Sequence, residues 1–275
     1  AMPLLETTRT PDQSREDAPA VAVTSLHKIY GVGSKQVHAL KDANFILKKG
    51  ETLGVVGESG SGKSTLAKTL IRLEDPTSGS VKINNADFLA LSGPELDKAR
   101  MNIQMIFQDP FGSLNPCQTV EYMVKRGLLL QGIKPSDVHK RAVTLLNQVG
   151  LGEQSLKRKP INFSGGQRQR IGIARALSMS PDVVVADESV SALDLSVQKQ
   201  VLRLINNLQE KYKMAIIFIT HDLRVAAQIS DYITVMEKGV MVEFGSAEQV
   251  FNNPKHEYTK KLLNAAPGQN WTPPR

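Results

Sequence analysis

Cysteine is almost missing from this chain: Cys117 is the only one in 275 residues. Neither an internal disulfide nor a cysteine-cluster metal site is expected, and the composition fits a reducing cytoplasm. Long apolar runs are missing as well. No stretch reaches about 18 uncharged apolar residues, so no bilayer-spanning helix is expected, and no charged-then-apolar leader opens the chain. Aromatics amount to 5%, with a single Trp. That scarcity bears on the net charge of +7 and the pI near 9.4, because nucleic-acid modules usually combine such charge with exposed aromatic platforms. The positive residues are also scattered, and the densest cluster is only Lys157-Arg158-Lys159. No nucleic-acid partner is expected; an acidic membrane face or acidic partner loops fit the charge better. With 41% hydrophobic and 22% charged residues, the chain reads as globular, one large domain or two small ones around a substantial core.

What is present begins with Gly57-Glu58-Ser59-Gly60-Ser61-Gly62-Lys63-Ser64-Thr65. It matches the phosphate-binding pattern G-x-x-x-x-G-K-[ST], preceded by the apolar strand Leu53–Val56 and followed by a helix-compatible run, Leu66–Leu73. Glycines let the backbone turn its N–H groups toward an anion, and the helix start adds partial positive charge. Lys63 reaches the β- and γ-phosphates in such loops, and the Ser64 hydroxyl coordinates Mg²⁺. Average composition produces the pattern by accident in about one chain of this length in a hundred, so a plain surface loop is the weaker reading. A nucleoside triphosphate is the expected ligand.

Residues 1–19 lack apolar periodicity and are expected to be disordered. Val21–Tyr30 alternates like a strand, and short strands follow at Phe45–Leu47 and Leu53–Val56 around the turn Lys48-Lys49-Gly50-Glu51. A turn at Asp75-Pro76-Thr77-Ser78-Gly79 leads into the strand Ser80–Ile83, and Met101–Phe107 reads as another. Residues 119–131 and 136–150 space their apolar side chains by three and four, as do Val138, Ala142, Leu145, Leu146 and Val149, and a further helix is expected over Gly165–Ser178. Strand and helix then alternate through Val183–Ala186, Leu195–Tyr212, Ile216–Thr220, Leu223–Ile229 and Ile233–Met236. That alternation predicts an α/β fold with a parallel sheet covered by helices, interrupted by an inserted helical lobe.

The strand Val183–Ala186 ends in Asp187-Glu188, the place where such sheets deliver ligand groups. Asp187 is placed to hold Mg²⁺ through water, and Glu188, pointing differently, to accept a proton from an attacking water. His221 follows the strand Ile216–Thr220, where it can hydrogen-bond a γ-phosphate oxygen and help fix Glu188 and the water. Gln108 ends the strand before the helical insert and can bridge Mg²⁺ to that water. His27, His38, His139 and His256 have no such neighbours in the pattern and read as structural. Finally, Phe163-Ser164-Gly165-Gly166-Gln167-Arg168-Gln169-Arg170 opens a helix, with Ser164 as its N-cap and two glycines leaving N–H groups open.

Together these motifs resemble the ATP-binding cassette (ABC) family, whose signature is usually L-S-G-G-Q and here has Phe163 for Leu. The resemblance covers about residues 21–265. It implies a P-loop NTPase with a RecA-like core, an antiparallel β subdomain and an inserted α-helical subdomain at about 109–180, within a cassette spanning 20–252. It also implies that Tyr30 stacks on adenine, with a core strand aromatic as the alternative, and that Ser191-Ala192-Leu193-Asp194 is the D-loop, with Asp194 near ATP. In the family, the signature residues Phe163–Gln167 of one subunit close over ATP held by a second. The segment Gln108-Asp109-Pro110-Phe111-Gly112-Ser113-Leu114-Asn115-Pro116 and the tail from Asn253 to Leu263, part of a C-terminal element at 253–275, look like those of dipeptide, oligopeptide and nickel importer ATPases. Glu257 replaces Pro in that tail; Ser189-Val190 replaces Pro-Thr and Ile161-Asn162 replaces His-Glu, and neither of these two removes a phosphate or metal contact. Some members hold an iron–sulfur cluster through C-terminal cysteines, which is not expected here. The implied protein is an ATPase using ATP and Mg²⁺, peripheral on the cytoplasmic face of a bacterial inner membrane. Its implied partners are permease subunits, a second ATPase subunit and, indirectly, a solute-binding protein. The alternatives are an exporter ATPase, or a DNA-repair or ribosome-associated ABC protein; the latter generally carry two cassettes, a coiled coil or zinc inserts.

Overall fold

A computed structural model describes residues 19–189 and 193–265. Strands β1 (Pro19–Tyr30) and β2 (Val37–Lys48) pair antiparallel, and β3 (Thr52–Val56) follows in a separate sheet. After helix α1 (Lys63–Leu70), β4 (Ser78–Ile83) returns antiparallel to β1 and β5 (Ala86–Asp87) pairs with β4. This gives an antiparallel sheet in the order β2-β1-β4-β5. Helix α2 (Gly93–Asn102) leads into β6 (Ile103–Ile106). Four helices then precede β7 (Val183–Asp187): α3 (Pro110–Ser113), α4 (Val120–Leu130), α5 (Pro135–Gln148) and α6 (Gly165–Leu177). The remaining elements are α7 (Leu195–Tyr212), β8 (Ala215–Thr220), α8 (Leu223–Ile229), β9 (Tyr232–Glu237), β10 (Val240–Ser246), α9 (Ala247–Asn252) and α10 (Glu257–Ala265).

The second sheet runs β10-β9-β3-β8-β7-β6, parallel throughout except for the β9–β10 hairpin. Strands buried on both faces read as nearly continuous apolar runs, and β7 and β8 show this up to their C-terminal residues Asp187 and Thr220. Val183, Val185, Ala215, Ile217 and Ile219 enter the core beneath the antiparallel sheet, while Val184, Ala186, Ile216 and Phe218 enter the core shared with the inserted helices. The α5 stripe Val138, Ala142, Leu145 and Leu146 is buried in that second core.

Several boundaries differ from the sequence pattern. β2 is twelve residues long, not the short Phe45–Leu47 strand, because its outer half is exposed and register shifts against β1 break the alternation. Met101 belongs to the end of α2, so the strand expected over Met101–Phe107 shortens to Ile103–Ile106, and α1 stops at Leu70 rather than Leu73. The sequence pattern does not mark α2, β10 or α9. β10 carries a turn signal nonetheless: Lys238 and Gly239 both have positive φ, +48° and +85°, as a two-residue hairpin turn of type I′ requires. Of the segment expected to be disordered, only Pro19 is described, and it opens β1. Residues 1–18, and Ser191 and Ala192 of the D-loop, lie outside the described residues.

Candidate nucleotide site

Because β3, β6, β7 and β8 are parallel, their C-terminal ends share one edge of the sheet. That edge carries Gly57, Gln108, Asp187-Glu188 and His221 in turn. The loop after β3 needs glycine at two places for reasons of space. A Cβ at Gly57 would lie 2.3 Å from the Met236 carbonyl oxygen, and one at Gly62 would lie 2.4 Å from that of Ala39. Gly62 also has φ +106° as the residue before α1, a conformation other residues rarely adopt. A cavity of about 550 Å³ opens above this helix start, lined by Ser59, Gly60, Gly62, Lys63, Ser64 and Thr65 with Gln108 and Glu188 opposite.

Lys63 is buried, and its Nζ donates to the carbonyl oxygens of Gly57 (2.7 Å) and Glu58 (2.8 Å). Burial pushes its pKa down, opposed by the charges of Glu188, Asp187 and Glu58. Asp187 is buried too, and burial raises its pKa against a hydrogen bond from Ser64. Its Oδ1 has no hydrogen-bond partner, and neither has the Oγ of buried Ser61. An orphaned buried carboxylate oxygen beside a hydroxyl is a hard-oxygen donor set of the kind Mg²⁺ takes, usually with waters and substrate phosphates completing the shell. Ser64 and Asp187 therefore fit this ion, and Gln108 lines the same cavity as Ser64.

Glu188 has a φ of +40°, strained for a non-glycine residue, and its N–H donates to the Ile219 carbonyl on β8. Its Oε2 accepts from Gln108 Nε2 at 2.8 Å, its Oε1 lies 3.8 Å from His221 Nδ1, and Lys63 Nζ is 4.0 Å from the same Oε1. Gln108, Glu188, His221 and Lys63, from four separate chain segments, thus meet around one carboxylate.

The remaining expected residues lie apart from this cluster. Ser164 caps α6 reciprocally: its Oγ accepts from Gln167 N, and its own N–H donates to Gln167 Oε1. Phe163 is buried, and Gly166 packs so closely on Val197 of α7 that a Cβ would lie 2.3 Å from Cγ1. Asp194 caps α7 through Val197 N. None of Phe163, Ser164, Gly165, Gly166, Gln167 and Asp194 lines the cavity. Tyr30 is no core aromatic: it is 37% exposed at the end of β1, with its hydroxyl on Glu74 and Lys28 Nζ 5.0 Å from the ring centroid. His38, which reads as structural from the sequence, lines the cavity rim with Lys41 and Lys238. No motif marks these three. They reach the rim because the β2 backbone is tied to the β9–β10 turn, Lys41 N donating to Gly239 O at 2.8 Å. His139 lies between Glu121 and Glu153, far along the chain from the cluster.

Residues 40–191 match the family model described as ABC transporter, and residues 242–272 that described as oligopeptide/dipeptide transporter, C-terminal region. The chain is 47% identical over 253 residues to the oligopeptide transport ATP-binding protein OppF of Streptococcus pyogenes, covering 90% of this chain and 81% of that protein. It is 43% identical over 252 residues to a Brucella ovis protein provisionally named for peptide import ATP binding, covering 91% and 80%. Among solved structures, the dimeric ATP-binding cassette MJ0796 with ADP and Pi has a TM-score of 0.75 at 32% identity, covering 82% of this chain and 98% of that one. CbiO1 of Clostridium perfringens, part of the CbiONQ transporter complex, gives 0.77 at 28% identity, covering 90% and 94%.

Proposed function

The chain belongs to the ABC transporter family and is an ATPase subunit of it, and on that premise we propose that it energises import of di- or oligopeptides, or a related small solute, through separate permease subunits. The observation that carries this reading is the match of residues 242–272 to the peptide-transporter C-terminal region, alongside the ABC transporter match over residues 40–191. It favours an importer over an exporter or a non-transport ABC protein. Among the described residues no helix is long and apolar enough to cross a membrane, which suits a subunit working from the cytoplasmic face of the inner membrane. The cassette at 20–252 and the C-terminal element at 253–275 are the proposed division of the chain.

In this reading the backbone of Gly57–Thr65 cradles the phosphates, and Lys63 exchanges its two carbonyl partners for the β- and γ-phosphate oxygens. Tyr30 stacks on adenine. Ser64, Gln108 and Asp187 would hold Mg²⁺, which would supply charge neutralisation at the phosphate oxygens. Glu188 takes the proton of the attacking water, held by Gln108 on one oxygen and faced by His221 and Lys63 on the other. Positioning and charge stabilisation supply most of the rate in such transfers. The signature residues Phe163–Gln167 and Asp194 meet ATP bound to a second cassette, identical or paralogous, which fits their absence from the chain's own cavity.

The test is dimerisation. With Glu188→Gln in the background, Mg·ATP should drive a closed dimer visible by light scattering, and Ser164→Arg should abolish it while leaving ATP affinity of the single chain nearly intact. Losing the cap costs about 0.5–2 kcal/mol of stability, so the retained affinity also reports that the variant is folded. ATP-driven dimers of the Ser164→Arg variant would refute the trans-acting role.

A further inference from the structure

Helix α10 makes a contact with the phosphate loop that no motif foreshadows. The Tyr258 hydroxyl accepts a hydrogen bond from the backbone N–H of Glu58 at 3.1 Å, across 200 residues of sequence. The same peptide unit presents its other end, the Gly57 carbonyl, to Lys63 Nζ at 2.7 Å. The Gly57–Glu58 peptide is therefore held at both ends by side chains, one from inside the loop and one from outside it.

The outer holder is itself anchored. Glu243 of β10 accepts from the backbone N–H groups of Lys255 (Oε1, 2.7 Å) and His256 (Oε2, 3.0 Å), which fixes the entry to α10. Tyr258, Leu262 and Leu263 pack on the cluster that contains Val56, the residue immediately before Gly57. Burial pushes the Tyr258 phenol above its ordinary pKa, so it stays a neutral hydroxyl at physiological pH. Side-chain packing thus places one polar atom against one peptide of the loop.

We propose that Tyr258 is a positioning residue for nucleotide binding: its hydroxyl keeps the Gly57–Glu58 peptide in the anion-binding conformation when Lys63 releases the Gly57 carbonyl and turns to the phosphates. The inference rests on residues 57–65 being the triphosphate cradle. It gives the C-terminal element a task within the ATPase itself. Without nucleotide the peptide has two holders and can spare one; with nucleotide bound, Tyr258 is the holder that remains. Removing the hydroxyl therefore weakens the bound state more than the free state.

The experiment uses the full chain, a fluorescent ATP analogue with Mg²⁺, and the near-isosteric Tyr258→Phe. The dissociation constant should rise about threefold to tenfold, the range that one neutral hydrogen bond spans, while turnover at saturating ATP and the melting temperature of the nucleotide-free protein stay at wild-type values. Unchanged affinity overturns the proposal. So does a loss of affinity that comes with an equal loss of saturated turnover and a lowered melting temperature, because that pattern is general destabilisation. A double-mutant cycle adds a readout that a merely structural role would not move. In a Lys63→Ala background the peptide has only Tyr258 in both states, so Tyr258→Phe should no longer change affinity. A penalty that persists in full in that background overturns the proposal. Lys63→Ala alone separates the two levels of the argument. If it leaves affinity intact, the cradle reading fails; if it weakens binding while Tyr258→Phe does not, only the Tyr258 inference fails.

Discussion

Replacing Glu188 with Gln should separate binding from hydrolysis. The amide matches the carboxylate in shape, and its carbonyl oxygen can still accept from Gln108 Nε2, now at 2.8 Å from Glu188 Oε2. What disappears is the basic oxygen and one negative charge. That charge currently raises the pKa of buried Asp187 and opposes the burial-driven fall at Lys63. Its removal leaves Asp187 more readily ionised and the cavity one unit less negative, so a polyanion should bind as well as before or better. A general base typically supplies a hundredfold or more, so turnover should fall by at least about 2.7 kcal/mol in barrier terms. Phosphate release under single-turnover conditions measures the chemical step, and titration with a fluorescent ATP analogue measures binding. Wild-type turnover with intact binding would remove Glu188 from the role of base.

Lys63→Ala should act on binding rather than on chemistry alone. It removes the point charge that replaces two carbonyl contacts with phosphate contacts, and undiminished affinity in equilibrium titration would count against the whole phosphate-loop placement. Gly166→Ala tests the seam between α6 and α7, where the added methyl would meet Val197 Cγ1 at 2.3 Å. Overpacking of this kind costs about 1–3 kcal/mol, so thermal unfolding should shift downward; an unchanged melting temperature would show that Val197 moves aside freely.

The parts of this protein legible in its sequence are those where local backbone chemistry admits few alternatives. Gly57 and Gly62 have no room for a side chain, and Gly62 also needs positive φ. A reader of spacing finds them because nothing else fits. The runs Leu53–Val56 in β3 and Val183–Ala186 in β7 are legible for a similar reason, being buried on both faces. β2 and β10 are harder to read, since their exposed or half-exposed edges carry mixed residues and their length is set by partners β1 and β9. The cavity rim formed by His38, Lys41 and Lys238 depends on backbone hydrogen bonds between distant segments, Lys41 N to Gly239 O and Gly239 N to Ser61 O, and no local pattern encodes that. Tyr258 is legible as part of the C-terminal element, but its contact with the phosphate loop is not. Its partner is a peptide N–H, which has no residue identity for a sequence motif to record.

The signature helix presents the opposite case, legible as a motif and silent as geometry. A site that acts in cis leaves marks on its own chain: Asp187 Oδ1 and Ser61 Oγ are buried without partners, waiting for something to satisfy them. Ser164 leaves none. Its hydroxyl already accepts from Gln167 N, and the Gln167 side chain already takes the Ser164 N–H, so Ser164 is satisfied within its own chain. A contact made only with a second chain must be compatible with water when that chain is absent, and an exposed, self-capped helix start meets that condition at no desolvation cost. Asp187 Oδ1 and Ser61 Oγ therefore belong to the half of the site that one chain builds alone. The half that needs a partner has to be inferred from the exposure of Ser164 and from the close packing of Gly166 and Val197, which ties the signature helix to the helix that Asp194 caps.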